Sequence, residues 1–116
     1  QKDIRQFQLA KSAVCSGIET LVETAGLVLA DIAMVFLAGG FGFYLNLDNA
    51  FRTGILPEEL KGRVSSVGDS AGAGAVMLLE DEALFDLADV ITSKVKTVDL
   101  SINRSFTERF MENLLF

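Results

Sequence analysis

The 116-residue sequence has no histidine and no tryptophan, and only one cysteine, one proline and one tyrosine. Without histidine the commonest general base is missing, which excludes a Ser-His-Asp or Cys-His hydrolase. The lone Cys15 excludes an internal disulfide, and with no histidine beside it there is no zinc-type ligand cluster. No apolar run approaches the roughly 18 residues of a membrane span. There is no basic-then-apolar leader and no Met before Gln1, so Gln1 reads as a fragment boundary rather than a biological start. Basic charge is scarce too: ten Lys and Arg face sixteen Asp and Glu, for a net charge of −6. Such a surface repels phosphate backbones, and no cluster of basic residues interrupts it, so nucleic acid is not an expected partner. Nor is a membrane. A reducing, cytoplasmic setting fits the cysteine usage.

What is present is apolar. Half the residues are hydrophobic and the mean hydropathy is +0.39. That is too apolar for a disordered chain and more than a small free-standing domain needs. The excess implies a surface that packs against something else. The length suits a single domain with a modest core.

The sequence turns on Ile32–Gly42, IAMVFLAGGFG. Seven apolar residues, Ile32 to Ala38, run directly into Gly39, Gly40, Phe41 and Gly42. A short apolar run bounded by glycines reads as a strand buried on both faces, as in the centre of an α/β sheet. The GGFG stretch then reads as a loop at the strand's carboxyl end, where open α/β sheets place ligands. Two readings stay open: a tight turn after a strand, or a loop whose bare main chain lets a ligand approach.

Before it, Ile4, Phe7, Ala10, Val14, Ile18, Leu21 and Ala25 recur at helical spacing and predict a helix over 4–25. Asp3 is its expected N-cap and Gly26 its C′ residue. Gly17, inside the helix, suggests close approach of a backbone or ligand. Cys15, one residue off the stripe, reads as a small buried thiol. After the central stretch, Phe43, Tyr44 and Leu45 are placed to cover the loop, and Asp48 reads as the N-cap of a short helix closed by Gly54. Pro57–Leu60 reads as one helical turn ended by Gly62, and Arg63–Val67 as a second strand stopping at Gly68.

Gly68-Asp69-Ser70-Ala71-Gly72-Ala73-Gly74-Ala75 follows, leading into Val76–Leu79. A strand, a turn of small residues and a helix can aim helix amides at an anion, or can simply let a helix pack tightly. No Gly-Lys-Ser/Thr follows, so neither glycine stretch is a Walker A loop. The first also fails the dinucleotide fingerprint, with Leu45 where a third glycine belongs. Glu80, Asp81 and Glu82 read as a solvated bend. Leu84, Leu87, Ala88 and Ile91 predict another amphipathic helix, and Val95–Leu100 alternates like an edge strand. Ser105-Phe106-Thr107-Glu108 matches a capping box opening a last helix with Phe106, Phe110 and Leu114 on one face.

In this order, QLAKSAVCSGIETLVETAG, VFLAGGFGFYL, AFRTGILPEELKG and VGDSAGAGA resemble the C-terminal region of the ATP-dependent reductive activators of corrinoid proteins. These are actin-like ATPases of the acetate and sugar kinase, heat-shock chaperone and actin superfamily. The resemblance spans essentially the whole chain. It implies an α/β fold, a ribonuclease H-like half-domain with about three strands and about four to five helices. It also implies that Leu37-Ala38-Gly39-Gly40 is the adenosine motif, with the Gly39 and Gly40 backbone against ribose and α-phosphate. Phe41, Gly42 and Phe43 would flank the nucleotide. Gly68 and Ala71–Ala75 would form the second connecting motif, Gly72 and Gly74 letting two halves pack and hinge. Asp69 stands where many relatives carry Asn.

ATP is the implied cofactor, with Mg²⁺ held through the half that is missing here. A plant-type [2Fe-2S] cluster is expected only in an N-terminal part that this sequence lacks. The implied partners are a corrinoid protein, the nucleotide and the remaining half of the same chain, with self-association into a homodimer as a further expectation. The implied role is the adenosine-side wall of a cleft in a protein that returns cobalt from Co(II) to Co(I); the fragment alone is not expected to be catalytic. Two alternatives stand beside it: a non-catalytic oligomerisation or interaction module, and a lobe of a related superfamily kinase.

Overall fold

Helix α1, Lys2–Thr24, opens the chain in a computed structural model that describes residues 1–115. A turn at Leu29–Asp31 leads to strand β1, Val35–Ala38, followed by α2, Gly39–Tyr44, and α3, Leu47–Arg52. A second turn, Glu58–Leu60, precedes β2, Val64–Gly68. Then come α4, Ser70–Glu80, and α5, Leu84–Lys94, a turn at Leu100–Ile102, and α6, Arg104–Glu112. β1 and β2 form a two-stranded parallel sheet. The chain divides into two compact units, residues 1–35, 45–65 and 99–116 in one, and 36–44 and 66–98 in the other.

The first unit is built on α1. Its C-terminus closes in a Schellman arrangement, Gly26 N–H donating to the Glu23 carbonyl and Leu27 N–H to the Val22 carbonyl, as the Gly26 signal predicts. At the other end Gln1, not Asp3, takes the cap position, and Asp3 sits in the first turn, where its charge suits the helix dipole.

The buried face of α1 is not the apolar stripe. Lys11, Ser12, Cys15, Ser16, Gly17 and Thr20 are buried, while Ile4, Val14 and Leu21 are exposed by 58%, 41% and 49%. The reason lies in the partner, α6, whose C-terminal carbonyls need donors. Lys11 Nζ donates to the Leu115 carbonyl, Ser12 Oγ to the Phe110 carbonyl, and Asn113 Nδ2 to Ser16 Oγ and Glu19 Oε2. Small polar side chains let the two helices approach and satisfy the end of α6 at once. Gly17 is buried on this face, and a Cβ there would lie 3.6 Å from Leu100 Cδ1, an ordinary contact with a side chain of the Leu100–Ile102 turn rather than the close approach of a backbone. Arg109 bridges Glu19 and Glu23 at 3.5 and 3.2 Å, and the Ser105 hydroxyl also donates to Glu23.

The apolar core of this unit comes from Cys15, Ala50, Phe51, Ile55, Leu56 and Leu60. Asn46, rather than Asp48, caps α3, its Oδ1 accepting from Asn49 N–H at 2.9 Å. The single turn after Pro57 forms as predicted and buries Leu60. Arg63 Nη1 lies 2.9 Å from the Ala30 and Ile32 carbonyls, tying the Leu29–Asp31 turn to the start of β2, and Val35 N–H donates to the Arg63 carbonyl.

Three strand and cap expectations are corrected. The central strand is shorter than Ile32–Ala38 and alternates half-buried with exposed residues instead of being covered on both faces. Val95–Leu100 is not a strand: 95–99 is irregular and exposed apart from Val98, and Leu100 enters a turn. Its alternation finds no neighbouring strand to pair with, and Asp99 caps Ser101 N–H instead. The described residues therefore hold two strands and six α-helices rather than about three and four to five. The last helix is capped by Asn103, whose Oδ1 accepts from Phe106 N–H, so Ser105 lies inside the helix and its hydroxyl is free to reach Glu23.

Candidate functional site

The second unit carries every residue that the sequence points to as a binding site. Because β1 and β2 are parallel neighbours, their carboxyl ends lie on one edge of the sheet, and each runs straight into a helix. Gly39 and Gly68 make those two reversals with φ of +80° and +65°, a left-handed conformation in which a side chain would be strained. Gly39, Gly40, Phe41 and Gly42 open α2, while Gly68 ends β2, Asp69 caps α4 and Gly72 lies in its first turn. The sequence treats GGFG as a loop; it is the first turn of a helix. With Gly39 supplying the reversal, no loop residue is needed.

The glycines of this edge have different jobs. Gly42 is buried, and a Cβ on it would lie 2.8 Å from Leu37 Cβ and 3.0 Å from the Leu37 carbonyl carbon. It is required so that α2 can fold back on the end of its own strand. At Gly72 a Cβ would meet Asp69 Oδ2 at 2.5 Å. That carboxylate is engaged: Asp69 is the N-cap of α4, its Oδ1 accepting from Gly72 N–H at 3.0 Å. Gly40 and Gly74 differ from both. Neither has a positive φ, and a Cβ on either would meet nothing within 4 Å. Nothing in the described residues requires glycine at those two places.

Aromatic side chains surround the edge without closing it. Phe41, Phe43 and Tyr44 are exposed by 68%, 65% and 84%, so Phe43 and Tyr44 do not cover the glycine turn as the sequence suggests. They pack on each other edge to face, with centroids 5.1 Å apart. Gly42 is the only buried residue among those described in this unit. Helix α4 is apolar nearly all round, SAGAGAVMLL, yet Val76, Met77 and Leu79 are exposed, as are Phe85, Leu87 and Ile91 of α5. A helix apolar on all sides is ordinarily a buried one.

The electrostatics are plain. The only basic residues of this unit are Lys94 and Lys96, at and beyond the C-terminal end of α5. Asp81, in the Glu80–Glu82 run, accepts from Ala83 N–H at 3.0 Å, making the bend between α4 and α5. No cluster of three or more Cys, Asp or Glu among the described residues is placed to hold a metal ion. In the first unit, burial and the neighbouring Glu19 push the Cys15 thiol up to about 11, so it is a protonated core group. The features that sequence reasoning missed are Asn46 and Asn103 as caps and the seam of Lys11, Ser12 and Ser16. An Asn directly before each helix's first residue, three residues ahead of the N–H it caps, was the available signal for the caps; nothing local signals the seam.

A profile described as the C-terminal domain of RACo, the ASKHA domain, matches residues 1–116. A protein of Eubacterium limosum named corrinoid activation enzyme RamQ is 34% identical over 116 residues, which is all of this chain and 20% of that protein. The chain thus spans about a fifth of the length of the curated relative it matches. No described helix is long and apolar enough to cross a membrane.

Proposed function

The chain belongs to the family of the C-terminal ASKHA domain of RACo, and from that premise we propose that it forms the adenosine-side wall of a nucleotide cleft. The parent would be an ATP-dependent reductive activator that returns a corrinoid protein from Co(II) to Co(I), the one electron arriving through an iron–sulfur cluster outside this chain. The observation that carries this reading is Gly40: it sits beside the strand-to-helix reversal, its missing side chain leaves open space, and the fold does not need it to be glycine. A glycine that packing leaves unexplained fits a surface that something else approaches closely.

The residues fit the wall of such a site and not its charged part. Gly39 and Gly40 offer bare main chain, and Phe41 and Phe43 offer exposed rings. With no Lys or Arg at this edge, the charge of the phosphates and their Mg²⁺ would be met by the rest of the longer protein. An iron–sulfur cluster of plant type needs four cysteine ligands, and the one cysteine here is buried, so none is held by this chain. ATP would supply the binding energy that favours one arrangement of the two halves, and coupling of that equilibrium to a docked corrinoid protein would drive activation. In this scheme the chain's own residues bind and orient the nucleoside; they move no proton and no electron.

The test uses the full-length protein. Gly40→Val should lower ATP affinity at least tenfold in a calorimetric titration while the circular dichroism spectrum and melting midpoint stay near those of the parent. Unchanged affinity in a folded variant would overturn the reading. A second reading, a non-catalytic interaction module that self-associates as a homodimer, is favoured by the exposed apolar faces of α4 and α5. It predicts dissociation on dilution in sedimentation and no response to nucleotide.

A further inference from the structure

We draw no further inference here: the strongest candidate, the apolar groove between α4 and α5 lined by Gly74, Met77, Leu84, Leu87 and Ile91, is an unpartnered face and nothing in the structure shows what covers it.

Discussion

Adding one methyl group at Gly42 and one at Gly40 should have opposite consequences, though the two glycines are two residues apart. At Gly42 the new Cβ would lie 2.8 Å from Leu37 Cβ and 3.0 and 3.1 Å from the Leu37 carbonyl carbon and oxygen. Two of those three neighbours are main chain, so relief requires α2 to move off the end of β1. Overpacking of this kind costs about 1–3 kcal/mol. The gain in helix propensity from Gly to Ala returns at most about 1 kcal/mol. Gly42→Ala should therefore be destabilising by up to about 2 kcal/mol net. At Gly40 the methyl meets nothing within 4 Å and the backbone needs no positive φ. Gly40→Ala should be neutral or stabilising by about 0.5–1 kcal/mol, because the unfolded chain loses freedom. In the full-length protein, chemical denaturation followed by circular dichroism reads the stabilities, and a titration with ATP reads affinity. Gly42→Ala should lose stability first, and Gly40→Ala should lose affinity without losing stability. Equal stabilities for the two variants would refute the packing argument. A destabilised Gly40→Ala would show that this glycine serves the fold after all.

Asp69→Ala should cost about 0.5–2 kcal/mol by uncapping α4, whereas Asp69→Asn should be nearly silent in the same denaturation assay, because Asn caps as well as Asp. Gly72→Ala combined with Asp69→Ala should be less destabilising than the sum of the two single changes, since the Cβ at residue 72 collides with the capping carboxylate. Cys15 should react with a disulfide reagent at pH 8 far more slowly than a free thiol, at least about 100-fold, given a pKa near 11 and a buried sulfur; fast labelling of folded protein would contradict its placement. Glu23 is held below the usual carboxylate range first by the Ser105 hydroxyl and then by Arg109. Its folded value is depressed, so its contribution is fully present above the unfolded carboxylate pKa and is lost as pH falls through the folded value. Ser105→Ala should therefore raise the Glu23 titration midpoint toward that of an ordinary carboxylate, as read by NMR. Ser12→Leu should be strongly destabilising, about 3 kcal/mol or more, because the site is fully buried under α6 and its hydroxyl bond would be lost; a melting midpoint close to the parent's would show that the α1–α6 seam is not packed as described.

Local signals carried far in this chain. The long first helix and its glycine stop, the turn after Pro57, β2 ending at Gly68, and α5 follow from spacing and glycines within a few residues, while α4 starts earlier than expected, at Ser70, and takes in small residues that read as a turn. The candidate binding edge was legible for the same reason. A strand running into glycines, and a strand followed by small residues and a helix, are local patterns, and parallel pairing brings the two glycine ends to one edge. Family membership was legible from those motifs in order.

The failures share one cause, which is that burial depends on what lies opposite. Periodicity located the apolar stripe of α1 but could not say which face would be covered. The donors of Lys11 and Ser12 became decisive only because a segment about 100 residues later brought the Leu115 and Phe110 carbonyls to them, while Asn113 of that segment donates back to Ser16 and Glu19. Val95–Leu100 alternates like a strand, yet a strand exists only where a second strand offers its edge. By itself the sequence determined roughly where most helices lie, the glycine that stops α1 and the one that ends β2, and the family. Tertiary structure alone decided which helix face is inside, that Gly42 is held by packing while Gly40 is not, and how much apolar surface stays uncovered. Those outcomes rest on contacts between residues far apart along the chain, and no local pattern encodes the partner.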